Sequence, residues 1–239
     1  MKKQLIAIAS VAMLAGVFTF SSCKKSDTTA PTLTITGGND QTSSLNAAFT
    51  NPAATATDDV DGDLTTKISI SNPTAVDNNT KGVYTLHYSV SDAAGNTATQ
   101  DVTIHIVNDA EAFAGNYNVH DTVPTLAAFN YTIAITTDNT VDHKIHFGHL
   151  APALVGFADY QNNDGIYANI AGSTVGAIVT LTSQTVGPIG TDNSNHTFVG
   201  NGTVLAVAPS LPSFNITYTD TDNTNSTTAS GCVVTYTHQ

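Results

Sequence analysis

Two stretches of strict alternation constrain this chain more than any other feature. In Gly82–Ser91, Tyr84, Leu86, Tyr88 and Val90 alternate with Thr85, His87 and Ser89. In Thr99–Val107, Val102, Ile104 and Ile106 alternate with Thr103 and His105. A period of two sends successive side chains to opposite faces, so each stretch is a strand with one buried face. Between them Asp92-Ala93-Ala94-Gly95-Asn96 supplies turn chemistry, with Gly and Asn tolerant of positive φ. Glu, Lys, Gln and Arg are scarce, while Thr, Val, Ile, Asn, Asp and Gly abound. That mixture favours strands and tight turns over helical bundles, and the expected class is all-β.

Thr32–Thr36 and Lys67–Ser71 are further short strands upstream, and about seven short strands in some 80 residues suit a sandwich. Three motifs then appear in order: Ala30-Pro31-Thr32-Leu33-Thr34-Ile35; Asn51 through Asp63, which includes Asp58-Asp59-Val60-Asp61-Gly62-Asp63; and Lys81 through Asn96. Together they resemble bacterial Ig-like domains of the pesticidal crystal toxin and hyalin-repeat kind. The resemblance covers nearly all of residues 30–109 and implies an Ig-like β-sandwich over residues 31–109. It does not fix a task, since one fold serves many functions.

After Asn108-Asp109-Ala110 there is little linker. Residues 111–239 contain candidate strands at Tyr117–His120, Tyr131–Thr136, Val141–Phe147, Val155–Tyr160, Ile166–Ile170, Ile178–Thr182, Thr197–Val204, Phe214–Thr219 and Val233–Thr237. Turn clusters such as Gln161-Asn162-Asn163-Asp164-Gly165 separate them. This pattern predicts an antiparallel meander that closes as a barrel or folds as a sandwich. Phe113-Ala114-Gly115-Asn116-Tyr117-Asn118-Val119, with Gly200-Asn201-Gly202-Thr203 and the terminal strand patterns, is similar to lipocalin-like (calycin-like) modules. A barrel of about eight strands holds one small ligand or is filled by its own side chains.

The chain opens with Met1-Lys2-Lys3, an apolar run Leu5–Phe20, and Phe20-Ser21-Ser22-Cys23. A basic start, a short apolar stretch and small residues before a boundary describe an export signal. The run is shorter than the roughly 20 residues a helix needs to cross a bilayer. With Cys23 at the boundary, the segment resembles a bacterial lipoprotein signal, although Phe20 stands where Leu is common and Ser22 where Gly or Ala is common. The resemblance implies a signal peptide over residues 1–22, acylation (palmitate among the chains) at Cys23, and a polar tether over residues 23–30. The expected location is the cell envelope, held by lipid, at the outer membrane. If Cys23 carries lipid, Cys232 has no partner, and its alternation with Val234 and Tyr236 makes it a small buried residue on a strand.

Charge excludes one class of partner. The chain has a formal net charge of −12, and all seven Lys+Arg are Lys. Without Arg or a basic cluster, binding a phosphate backbone is implausible, so nucleic acid is not an expected partner. The acidic residues raise a cofactor question instead. Asp58, Asp59, Asp61 and Asp63, with Asp92 on the next turn motif, offer the hard oxygen donors that Ca²⁺ requires. An EF-hand is excluded, because aligning Gly62 to its turn puts Thr57 at the first ligand and Ile68 where Glu should stand. A cadherin-like arrangement sharing Asp92 or Asp109 remains open. The same Asp residues also serve as ordinary turn formers, and no other cofactor is expected.

His143-Lys144-Ile145-His146-Phe147-Gly148-His149 invites a metal reading. On a strand, His143 and His149 would share one face and His146 the other, which favours isolated histidines over a metal site. G-x-S-x-G, H-E-x-x-H and G-x-x-x-x-G-K are all missing. Asp27-Thr28-Thr29 and Asp121-Thr122-Val123 resemble the O-glycosylation sites of some Gram-negative exported proteins, with Thr28 and Thr122 as acceptors.

These readings converge on a non-enzymatic, lipid-anchored envelope protein. An Ig-like spacer would present a β domain to a glycan, a small ligand, a peptide or another envelope protein. One alternative is a hydrolase or metal-dependent activity carried by Asp142, His143, His149 or Asp159. Another is a purely structural envelope spacer.

Overall fold

The computed structural model describes residues 26–71, 76–124, 127–148, 166–189 and 194–239. The first seven strands are β1 (Thr32–Ile35), β2 (Asp40–Ser44), β3 (Ala54–Asp58), β4 (Gly62–Asp63), β5 (Ser69–Ser71), β6 (Gly82–Ser91) and β7 (Thr97–Val107). β6 and β7 pair antiparallel with Leu86 opposite Val102 and Tyr84 opposite Ile104, the register their alternation demands. β2 adds parallel to β7 and β5 adds antiparallel to β6, giving a four-stranded sheet in the order β2-β7-β6-β5. The second sheet is β1-β3-β4. Between the sheets lie Ile35, Leu45, Leu86, Tyr88, Val102, Ile104 and Ile106, all buried. Each such side chain contributes roughly 1.5–3 kcal/mol through burial, which sets the sandwich core. His87 and His105 face outward, beside Asp101 and Asp40.

The remaining strands are β8 (Gly115–Thr122), β9 (Phe129–Thr137), β10 (Lys144–Phe147), β11 (Tyr167–Ile170), β12 (Ile178–Ile189), β13 (Ser194–Ala206), β14 (Ser213–Asp222) and β15 (Thr227–His238). They form a closed antiparallel barrel in sequential order, with β15 returning to pair with β8. Closure decides between the two architectures the meander allowed, and it removes the sheet edges. The interior holds Tyr117, Phe147, Phe198, Phe214, Tyr218 and Tyr236, all fully buried. Phe214 stacks on Tyr236 at 4.6 Å between ring centroids, and Tyr117 meets Phe214 edge-on at 5.8 Å. The described part of the barrel is thus filled by its own aromatic side chains.

Two glycines permit the tight approach of β13 to β14. Cβ atoms on Gly200 and Gly202 would overlap the carbonyl oxygens of Thr217 and Asn215, respectively. Only a residue without Cβ fits there.

Two expected strands need correction. Val141–His143 is not a strand, and β10 begins at Lys144. The Asp138 carboxylate accepts from the backbone N–H groups of Thr140 (2.8 Å) and Val141 (2.9 Å), so a turn outcompetes the ladder there. His143 then takes a positive φ of 60°, which ends the alternation on which its facing was inferred. Lys67 belongs to a short 3-10 turn, not to β5. The expected strand Val155–Tyr160 lies outside the described residues.

Candidate functional site

Among the described residues, two groups of three metal-ligating side chains bring their ligand atoms within 4.8 Å of one another. The first is Asp27, Asp58 and Asp92, at one end of the sandwich. Asp58 closes β3, and its Oδ1 accepts from the backbone of Val60 and Asp61, both at 2.9 Å. Asp92 follows β6 and is buried; its carboxylate accepts from the Asn96 backbone at 2.8 Å and from Asn96 Nδ2 at 2.7 Å. Burial raises the Asp92 pKa, but these donors outweigh it and hold the carboxyl below its ordinary value. Asp27 precedes β1, with Oδ1 accepting from Thr29 N–H at 3.0 Å and its carbonyl from Asn96 Nδ2 at 3.3 Å. The Oδ2 atoms of Asp27 and Asp58 are sealed from solvent and accept no hydrogen bond.

Of the five acidic residues singled out from sequence, only Asp58 and Asp92 meet. Asp61 ties the two loops together by accepting from Ala93 N–H at 2.6 Å. Asp63 turns to Thr65, whose hydroxyl and backbone N–H lower its pKa. Asp59 is exposed. Asp27 was read as tether and missed, since nothing in its local sequence distinguishes it from any Asp-Thr turn.

The second group is Asp109, Asp142 and His143, at the junction of sandwich and barrel. Here hydrogen bonds account for the clustering. Asp142 Oδ1 accepts from Asp109 N–H at 2.7 Å and His143 N–H at 2.9 Å, and His143 Nδ1 lies 2.9 Å from Asp142 Oδ2. At the centre of the junction is Asn108, which is 1 % exposed. Its Nδ2 reaches the carbonyls of Asp138 (3.0 Å), Val141 (2.9 Å) and Lys144 (3.3 Å), while Oδ1 accepts from Ala110 N–H (2.9 Å) and His143 N–H (3.0 Å). Asn46 and Lys81 extend the contact. Asn46 donates to Thr140 and accepts from Asp142, and Lys81 Nζ meets Glu111 at 3.1 Å and Thr137 at 2.7 Å. The sandwich therefore grips the β9–β10 turn of the barrel directly. His149 and Asp159 lie outside the described residues. His146 is on β10, apart from His143, with Nε2 2.8 Å from Asp138 Oδ2.

A third polar cluster is buried inside the barrel. Tyr218 donates to Asp121 Oδ2 at 2.8 Å, and His196 Nδ1 lies 2.8 Å from Asp220 Oδ1. Burial pushes the Asp121 carboxyl up to about 6, with the Asp220 charge adding to it, while Tyr218 and His120 pull the other way. Cys232 is fully buried on β15, and burial next to Asp121 and Asp220 raises its thiol to about 11. Such a thiol is a packing residue, as the alternation implied. Thr28 and Thr122 are both exposed, but Asp121 beside Thr122 points into the barrel. Cys23 lies outside the described residues, and among those described no helix is long and apolar enough to cross a membrane.

No curated protein sequence matches the chain. Among solved structures, the lipoprotein BT2262 from Bacteroides thetaiotaomicron is similar at 16% identity and TM-score 0.33, over 87% of this chain and 100% of that one. The structure of CBM51-2 in complex with GlcNAc and INT domains from Clostridium perfringens ZmpB is similar at 14% identity and TM-score 0.29, over 87% of this chain and 44% of that one. Neither superposition is close. The sequence model for the Ig-like domain of bacterial surface proteins matches residues 33–106, the span of β1 through β7. Residues 33–106 are thus a bacterial surface Ig-like domain, followed in the same chain by an eight-stranded β-barrel.

Proposed function

We propose that this is a non-enzymatic protein of the cell envelope, anchored by lipid at Cys23, whose Ig-like domain carries the barrel at a fixed orientation for binding. The observation that carries the reading is the Asn108 junction. A spacer that only tethered its cargo would not need one buried carboxamide committed to four backbone groups of the turn it meets. Rigid presentation lowers the ordering cost of any later contact.

Because the described interior is packed, the barrel's outer face is the surface on offer. A groove of about 550 Å³ runs beside β9 and β10, lined by Ala134, Thr136, Asp138, Asn139, His146 and Gly148 among others. Its hydroxyl, carboxylate, amide and imidazole groups suit a polar partner such as a glycan or a protein loop. Replacing Cys23 with Ala in the native host and fractionating the cells tests the anchor. The expected outcome is release from the membrane pellet; unchanged pelleting refutes it.

A further inference from the structure

The groove beside β9 and β10 is low in the middle because two small residues meet there. Alternation along β9 buries Ile133, Ile135 and Thr137 and turns Ala134 and Thr136 outward. Gly148, just past β10, donates its N–H to the Ala134 carbonyl at 2.9 Å. A Cβ on Gly148 would stand 3.1 Å from that oxygen, so a side chain there would crowd the floor. Around it stand Thr136, Asp138, Asn139 and His146.

Both oxygens of Asp138 are already committed. Oδ1 accepts from the Thr140 N–H (2.8 Å), the Thr140 hydroxyl (3.0 Å) and the Val141 N–H (2.9 Å). Oδ2 lies 2.8 Å from His146 Nε2 and 3.2 Å from Lys144 Nζ. Burial raises this carboxyl's pKa, but the donors outweigh it and hold it well below its ordinary value, so the group is ionised and Lys144 balances its charge. A carboxylate beside Nε2 keeps the imidazole proton on that nitrogen. Nδ1 is then the acceptor of the neutral ring, and among the described residues no hydrogen bond reaches it. The groove therefore offers an imidazole acceptor, the Thr136 hydroxyl and the Asn139 carboxamide, without unbalanced charge.

That set selects its ligand. A cation would find the Asp138 oxygens spent, and an anion would approach a chain of net charge −12. A protein partner would anchor through aromatic or apolar side chains, for which Ala134 and Gly148 give little to pack against. Hydroxyls, which donate and accept at once, match all three groups. The volume of about 550 Å³ lies in the range of small-ligand sites. Tyr167, the cross-strand neighbour of His146, has the Lys144 ammonium 4.1 Å from its ring centre. One face of that ring is taken, and hydrogen bonds carry recognition.

We propose that this groove binds a neutral saccharide, with His146 Nδ1 accepting from a sugar hydroxyl. The inference rests on the reading of the barrel's outer face as the binding surface, and it names the ligand.

The test screens the full chain, purified in a detergent without a sugar headgroup, on immobilised oligosaccharides. The probes are neutral gluco-, galacto-, manno-, xylo- and N-acetylglucosamine series, with uronate- and sialic acid-containing counterparts. The wild type should bind at least one neutral series with a Kd of about 1 mM or tighter. Ala134→Leu, which fills the floor, should weaken that binding about tenfold or more. His146→Phe, which keeps a ring and removes the acceptor, should weaken it about two- to tenfold. Ala134 is exposed on a strand's outer side, so Ala134→Leu keeps the wild-type Tm even if His146→Phe loosens the Asp138 turn. No binding to any neutral series, binding confined to the acidic counterparts, or equal binding by wild type and Ala134→Leu overturns the proposal. Cross-linking in the native host separates the two levels. Capture of an envelope protein with no saccharide bound overturns this inference and leaves the binding reading standing, whereas no partner of either kind overturns both.

Discussion

Nδ2 of Asn108 lies 2.9 Å from the carbonyl oxygen of Val141, joining the residue that follows β7 to a barrel turn more than thirty positions away. The same carboxamide accepts from the N–H of Ala110, a buried donor, at 2.9 Å. Orientation of barrel against sandwich is therefore encoded in one side chain, and the surrounding contacts of Asn46, Lys81 and Asp142 complete it.

Asn108→Ala should expose that dependence. It removes the acceptor of the buried Ala110 N–H and the donor to the part-buried Val141 carbonyl, which costs about 2–6 kcal/mol at 1–3 kcal/mol per orphaned group. Urea unfolding should show a lower midpoint, with sandwich and barrel probes separating into two transitions. Coincident transitions at the wild-type midpoint would contradict a structural role for the junction.

The buried Asp121 predicts a pH dependence. Its carboxyl is raised from 3.8 to about 6 in the folded chain, so the folded state binds the proton more tightly than the unfolded one. That contribution is fully present below the lower value and is lost as pH rises through the higher one. Asp138 acts oppositely: its pKa is held well below the ordinary value because donors from Thr140, His146 and Val141 outweigh burial, so its stabilisation is lost on acidification. Asp121→Asn isolates the first effect. Relative to wild type, it should gain stability between pH 4 and pH 7, by at most about 3 kcal/mol. A constant difference across that window in denaturant titrations would reject it.

Gly202→Ala should damage the barrel. The new Cβ would drive into the Asn215 carbonyl, forcing β13 and β14 apart where ten residue pairs hold them in register. Overpacking of this kind costs about 1–3 kcal/mol, and more where backbone must move. Val199→Thr, at a neighbouring outward position, should stay within about 0.5 kcal/mol of wild type. Differential scanning calorimetry of the two variants distinguishes a local clash from general sensitivity of the strand.

Thiol titration tests the anchor and the core together. Cys232 is fully buried with a thiol raised to about 11, so the native protein from its own host should not react with an aromatic disulfide reagent at pH 8. In denaturant one thiol should appear, because a lipid-bearing Cys23 has its sulfur in a thioether. Two thiols in denaturant would refute lipidation.

How much of this was legible beforehand follows from what alternation encodes. The β6–β7 pair, the inward facing of Tyr88 and Ile104, and the burial of Cys232 were all readable, because period-two patterning states which side chains leave water. Asp58 and Asp92 were recognisable as oxygen donors on turns. Their meeting with Asp27 was not, since the three are far apart in the chain and each has a sufficient local explanation. The His143 facing failed because the Asp138 turn bonds are local electrostatics that hydrophobic alternation does not register.

Taken alone, the order of residues determined an all-β chain, an Ig-like first segment and a row of strands able to close. Tertiary structure decided that β15 returns to β8, that aromatic rings fill the described interior, and that Asn108 holds the two parts together. The physical reason is that alternation specifies which face of a strand is buried. Which strand lies beside it, and which distant carboxylates become neighbours, depends on closure geometry and on backbone groups that must find partners once water is gone.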